Sequence, residues 1–130
     1  MVEQIPEKLF KEILDEILTE KDIRFAGFVG LKGNLLEGQF RKDVIPFEND
    51  KEQQQIFREL ALRISTRKKF DYSMGPVKYS ASRREKLVMM SFPLKGMIFL
   101  ITAEPNVNID RLAYKIIQIL GKDWGTFYGE

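Results

Sequence analysis

The chain contains no cysteine and no histidine in 130 residues. The first absence excludes a disulfide framework, thiol catalysis and cysteine-based zinc sites. The second removes the commonest general base and the commonest metal ligand. Long apolar runs are missing too. Residues 97–102 form one of the longest, far short of the roughly 20 residues that span a bilayer, so no membrane insertion is expected. Glu3, Glu7 and Lys8 interrupt the apolar residues near the N-terminus. No secretory signal core is therefore expected there, and a cytoplasmic location follows by default.

What is present suits a globular protein. Hydrophobic residues make up 44% of the chain and charged residues 31%, sufficient for one domain around a single core. That domain is expected over residues 1–120, followed by a short aromatic tail at 121–130. The rings of Trp124, Phe127 and Tyr128 in the tail are expected to fold back over their own domain, with docking on a partner as the alternative.

The pattern types run in the order helix, hairpin, helix, three strands, helix. Ile5, Leu9, Phe10, Ile13, Leu14, Ile17 and Leu18 recur at spacings of three and four, one stripe of an amphipathic helix. Pro6 suits its first turn. Residues 23–30 and 35–40 read as strands joined around Lys32-Gly33-Asn34, a tight-turn signal. Asn49 or Asp50 can cap a second helix reaching about Lys69. On it Ile56, Phe57, Leu60, Ala61 and Ile64 share one arc, and Leu62 projects from the opposite face. Three strands follow at 77–82, 87–94 and 97–103. Arg83-Arg84-Glu85-Lys86 connects the first pair and Lys95-Gly96 the second. The last helix starts near Asn106 or Asn108, carries Ile109, Leu112, Ala113, Ile116, Ile117 and Leu120 as its stripe, and is expected to stop at a left-handed Gly121.

The strand faces give an order. Residues 87–90 and 97–101 are apolar at both alternating sets of positions, which requires cover on both faces. Lys78, Ser80 and Ser82 instead alternate with Val77, Tyr79 and Ala81, and Glu37, Gln39 and Arg41 occupy one parity of the second strand. One polar face marks a sheet edge. With strands two and three at the edges and hairpins between neighbours, strand one must pair with strand five. The expected order is 2-1-5-4-3. Phe28, Met89, Phe99 and Ile116 are expected in the core.

Phe25-Ala26-Gly27-Phe28-Val29, the Gly33 turn, the Phe92-Pro93-Leu94-Lys95-Gly96-Met97 link and the helix entered through Asn108 together resemble the roadblock (dynein light-chain) domains. More broadly they resemble the profilin-like folds, longin domains included, and a group of small uncharacterised archaeal proteins of the same layout. The resemblance covers about residues 9–120. It implies an α/β fold of element order α-β-β-α-β-β-β-α. Its five-stranded antiparallel sheet would carry the first and last helices on one face and the second on the other. It also implies dimerisation through the second helix and the adjoining edge strand, and service as a platform or regulator for small GTPases. It supplies no common catalytic residues.

Chemical motifs are sparse. Gly27, Gly30 and Gly33 lie in and after a strand with no following helix and no Gly-Lys-Ser/Thr ending, which is a hairpin and not a nucleotide cradle. Asp15-Glu16 and Glu48-Asn49-Asp50 lack the ligand spacing of an EF-hand. Ser73, Ser80, Ser82 and Ser91 have no histidine to activate them. No catalytic residue, metal or cofactor is expected.

Charge is distributed unevenly. Residues 63–86 hold the bases Arg63, Arg67, Lys68, Lys69, Lys78, Arg83, Arg84 and Lys86 against Asp71 and Glu85, a net of +6, while the remainder of the chain is at −4. Some of these bases suit a helix C-terminus or a solvated turn. Together, with Phe70, Tyr72 and Tyr79 nearby, they could meet acidic protein or nucleic acid. The leading expectation is a non-enzymatic homodimeric scaffold or regulatory adaptor linked to a small GTPase, the GTPase link coming from the resemblance alone. Arg58, Leu62, Val77 and Tyr79 are the expected contacts. A nucleic-acid-associated protein using Arg63, Arg67, Lys68, Lys69, Arg83, Arg84 and Lys86 is the alternative.

Overall fold

The computed structural model describes residues 5–129. Residues 1–4 of the expected domain and Glu130 of the expected tail lie outside that range. Helix α1 (Glu7–Ile17) begins at Pro6, whose carbonyl accepts from the Leu9 and Phe10 amides, and it buries Phe10, Ile13, Leu14 and Ile17. Glu7 and Lys11 form an i,i+4 pair at 3.1 Å. Strands β1 (Ile23–Gly30) and β2 (Leu35–Phe40) form the first hairpin. At its turn Gly33 has φ +89°, a conformation that favours glycine.

Helix α2 (Asp50–Arg67) opens on a capping box. The Asn49 side chain accepts from the Glu52 amide at 2.8 Å and Glu52 accepts from the Asn49 amide at 3.0 Å. It ends sooner than the sequence suggested. A 3-10 turn (Lys68–Phe70) and the short helix α3 (Asp71–Met74) carry the chain on to Gly75 at φ +81°.

Strand β3 (Ser80–Arg83) starts three residues later than expected, so Val77, Lys78 and Tyr79 lie outside the sheet. The Ser80–Ser91 register, continued backwards, would set Lys78 opposite Pro93, which has no N–H to offer a ladder. Tyr79 instead donates its hydroxyl to Asp110. Strand β4 (Val88–Leu94) begins one residue after the expected position, and β5 (Met97–Ala103) matches. The five strands pair antiparallel in the order 2-1-5-4-3, as the polar parities required.

Two cores follow from the pleat. Ala26 and Phe28 of β1, Phe92 of β4 and Phe99 of β5 face α1 and helix α4 (Ile109–Gly121). Phe25, Val29, Ile98 and Leu100 point the other way, onto Phe57, Leu60, Ala61 and Ile64 of α2. Phe28, Phe99 and Ile116 are buried as expected, but Met89 is only half-buried, at the margin of the α2 core beside the sheet edge.

Asn108 caps α4 by accepting from the Arg111 amide. On that helix Ile119 is buried and Ile117 only half-buried, shifting the stripe from the one read in the sequence. Gly121 does not stop the helix in a left-handed conformation. It is the last helical residue, and Lys122 and Asp123 turn the chain by bonding back to Ile119 and Leu120 carbonyls. Helix α5 (Trp124–Phe127) then returns to the sheet. Phe127 is fully buried 5.6 Å from Phe28, and its carbonyl accepts from the Lys95 amide at 2.7 Å. The loop before β1 is clamped to α4 by Glu20, which accepts from Lys115 at 2.7 Å and Arg111 at 3.2 Å. Those hydrogen bonds, Lys115 first, hold its carboxyl below the usual value.

Candidate functional site: the outer face of α2 and the β3 edge

The α2 helix turns Phe57, Leu60, Ala61 and Ile64 to the sheet, and this leaves Arg58 and Leu62 on its outer side. Leu62 is 68% exposed. Arg58 also marks where the helix meets the first hairpin. A Cβ added at Gly33 would come within 2.8 Å of the Arg58 Cα. At the sheet edge, Ser80 and Ser82 pair with Ser91 and Met89, on the α2 side. The Arg67 guanidinium donates to the Ser80 hydroxyl at 3.1 Å, tying the helix to the edge strand.

The expected contacts therefore fall into two groups. Arg58 and Leu62 share the exposed side of α2. Val77 and Tyr79 are half-buried in the segment before β3. The Tyr79 ring packs 6.0 Å from Phe92, on the α4 side of the sheet, and its hydroxyl bond to the Asp110 carboxylate raises the phenol's pKa.

The basic segment is divided as well. Arg63, Arg67, Lys68 and Lys69 follow the exposed side of α2 and the 3-10 turn, with the Lys69 ammonium 5.3 Å from the Phe70 ring. Arg83 is occupied within the domain. It donates to the carbonyls of Pro105 and Val107, holding the entry to α4. Lys86 lies 5.6 Å from the Phe47 ring, which Arg24 approaches from 4.4 Å. Arg84 is exposed at the β3–β4 turn.

Sequence reasoning missed a groove of about 670 Å³ at the end of β3, between the C-terminal part of α2 and the α4–α5 corner. Arg67, Lys68, Val77, Lys78 and Trp124 are among its walls. It exists because β3 stops short, which the alternation of residues 77–82 concealed. Among the described residues, no group of three or more His, Cys, Asp or Glu is placed to hold a metal ion. No helix among them is long and apolar enough to cross a membrane.

A family model described as "Family of unknown function (DUF6659)" matches residues 2–130. The chain belongs to that family. No curated protein matches the sequence. Among solved structures, a roadblock/LC7 domain from Streptomyces avermitilis is similar, with 8% identity, a TM-score of 0.65 and cover of 85% of this chain and 91% of that one. Myxococcus xanthus MglB gives 9% identity and a TM-score of 0.69 over 94% of this chain and 99% of its own. An MglB with a tetrameric arrangement gives 14% and 0.67 over 94% and 95%. At these identities the likeness is one of fold, and the fold is that of the roadblock/LC7 domains.

Proposed function

We propose that this member of the DUF6659 family is a non-enzymatic homodimeric scaffold or regulatory adaptor whose partner class is a small GTPase. The observation that carries the proposal is Leu62, a large apolar side chain exposed on the outer side of α2, the helix that Arg67 ties to the edge strand β3 with its one unpaired side. Two copies set edge to edge satisfy such backbone groups and cover such side chains together. Arg58 and Leu62 form the helical part of this contact, and Val77 and Tyr79 lie at its margin. The roadblock fold supports the GTPase link by analogy of fold, and the tetrameric arrangement of an MglB supports self-association. Absent histidine and cysteine support a role without catalysis.

Light scattering at micromolar concentration should report twice the 15.2 kDa chain mass. Leu62→Glu should return the monomer mass with the far-UV circular dichroism of the folded chain retained, because the side chain is exposed on the single chain. A clean monomer in the unsubstituted protein overturns the dimer. Native affinity capture with mass-spectrometric identification should recover a small GTPase.

The exposed row of Arg63, Arg67, Lys68 and Lys69 favours nucleic acid as the second reading. Phosphate neutralisation would make binding fall steeply with salt. The suitable variant is Lys68→Glu with Arg84→Glu. Reversing Arg83 would also release the carbonyls of Pro105 and Val107. A salt-sensitive shift of labelled nucleic acid, lost in that double variant while the dimer persists, replaces the scaffold with a nucleic-acid protein.

A further inference from the structure

We propose that the groove at the end of β3 binds a small amphipathic anion, with an acyl-like apolar body and a carboxylate or phosphate head. The site arises from the chain's departure from the sheet. Beyond the Ser80–Ser91 pair, the edge of β4 at Pro93 and Leu94 is left without a strand neighbour. The opening runs past this edge from the α2 side to the α4–α5 side. Its volume of about 670 Å³ falls within the roughly 300–1,000 Å³ of small-molecule sites.

Its chemistry has two parts. Ile64 of α2, Val77, Pro93, Leu94, Ile117 of α4 and Trp124 of α5 supply apolar surface from both sides of the sheet. Arg67, Lys68, Lys78 and Lys95 are the bases around it, against a single acid, Asp71. An apolar body suits the first set and an anionic head the second, since a concave site lined by one sign of charge concentrates the opposite sign.

Tyr128 adds a further pointer. Its ring stacks 4.5 Å from Trp124 and lines the groove, and its hydroxyl is buried without a hydrogen-bond partner among the described residues. Unpaired buried hydroxyls are costly, so a partner is expected. Burial raises the pKa of this phenol, which stays protonated at neutral pH.

Trp124 is the only tryptophan in the chain, so its emission reports filling of the groove directly. Decanoate, decyl phosphate and decanol are the probes, titrated into the full chain below their aggregation concentrations. Decanoate or decyl phosphate should shift the emission to shorter wavelength in a saturable way, and the tighter of the two identifies the head group. Lys68→Glu with Lys78→Glu should raise that Kd by at least about tenfold, with the thermal midpoint retained because both residues are exposed. No saturable shift, equal binding of decanol, or an unchanged Kd in the double variant each overturns the proposal. So does a shift produced by an acidic leucine-containing peptide and not by either anion, which would assign the groove to a protein partner. Light scattering on the same samples reports self-association separately, so failure of the groove is distinguishable from failure of the dimer.

Discussion

Phe99→Ala will lower the free energy of unfolding by about 3–5 kcal/mol, whereas Gln39→Ala will change it by less than about 0.5 kcal/mol. Phe99 is fully buried, with its ring 4.8 Å from Phe28 and 6.1 Å from Phe92. Phe28 in turn lies 4.6 Å from Phe10 of α1 and 5.6 Å from Phe127 of α5. Removing the Phe99 ring therefore leaves a void beside aromatic side chains held by separate elements. The void closes poorly, because β5 is bonded to β1 on one side and β4 on the other. A domain of ordinary stability has only about 5–15 kcal/mol to lose. Gln39 is exposed on the edge strand β2, so its truncation removes little buried contact. Urea unfolding monitored by circular dichroism measures both, and equal midpoints would refute the assignment of Phe99 to the central strand.

The central strand was legible because burial on both faces leaves a mark in sequence. Ile98 and Leu100 serve one core while Met97, Phe99 and Ile101 serve the other, so neither parity can be polar. The edges were legible by the opposite signature, and with hairpin connectivity these two facts suffice for the strand order. Periodicity was less informative where tertiary contacts decide. Val77 and Tyr79 alternate with polar neighbours as a strand would, yet Pro93 opposite and Asp110 on α4 draw them out of the ladder. Gly121 has the composition of a helix stop, but nearby amides bond back to Ile119 and Leu120, and no left-handed residue is needed. Leu62 could be placed by its angle on α2 alone. The groove could not, since its walls come from residues far apart in the chain that meet only because β3 ends early.

Gly33→Ala should be the most damaging of the small substitutions on the α2 side of the sheet, and its effect should reach the proposed dimer. Alanine at φ +89° carries a backbone cost on the order of 1–3 kcal/mol. The new methyl would also stand 2.8 Å from the Arg58 Cα, 2.9 Å from its Cγ and 3.0 Å from its amide nitrogen. Two of those atoms are backbone in the interior of α2, so rotation of a side chain cannot relieve the contact. Either the β1–β2 turn or the helix must shift, and the helix is the element that presents Arg58 and Leu62. Gly75→Ala is the control. Gly75 has φ +81°, but nothing lies within 4 Å of its added Cβ, so the exposed loop can relax around it. Chemical denaturation should show a larger loss for Gly33→Ala than for Gly75→Ala. Light scattering should show the dimer weakened at Gly33 and retained at Gly75. Equal stability losses would mean that α2 does not rest against the turn. A Gly33→Ala protein whose α2 is displaced but which still dimerises at full strength would remove the outer face of α2 from the proposed contact, because a displaced helix cannot present the same surface.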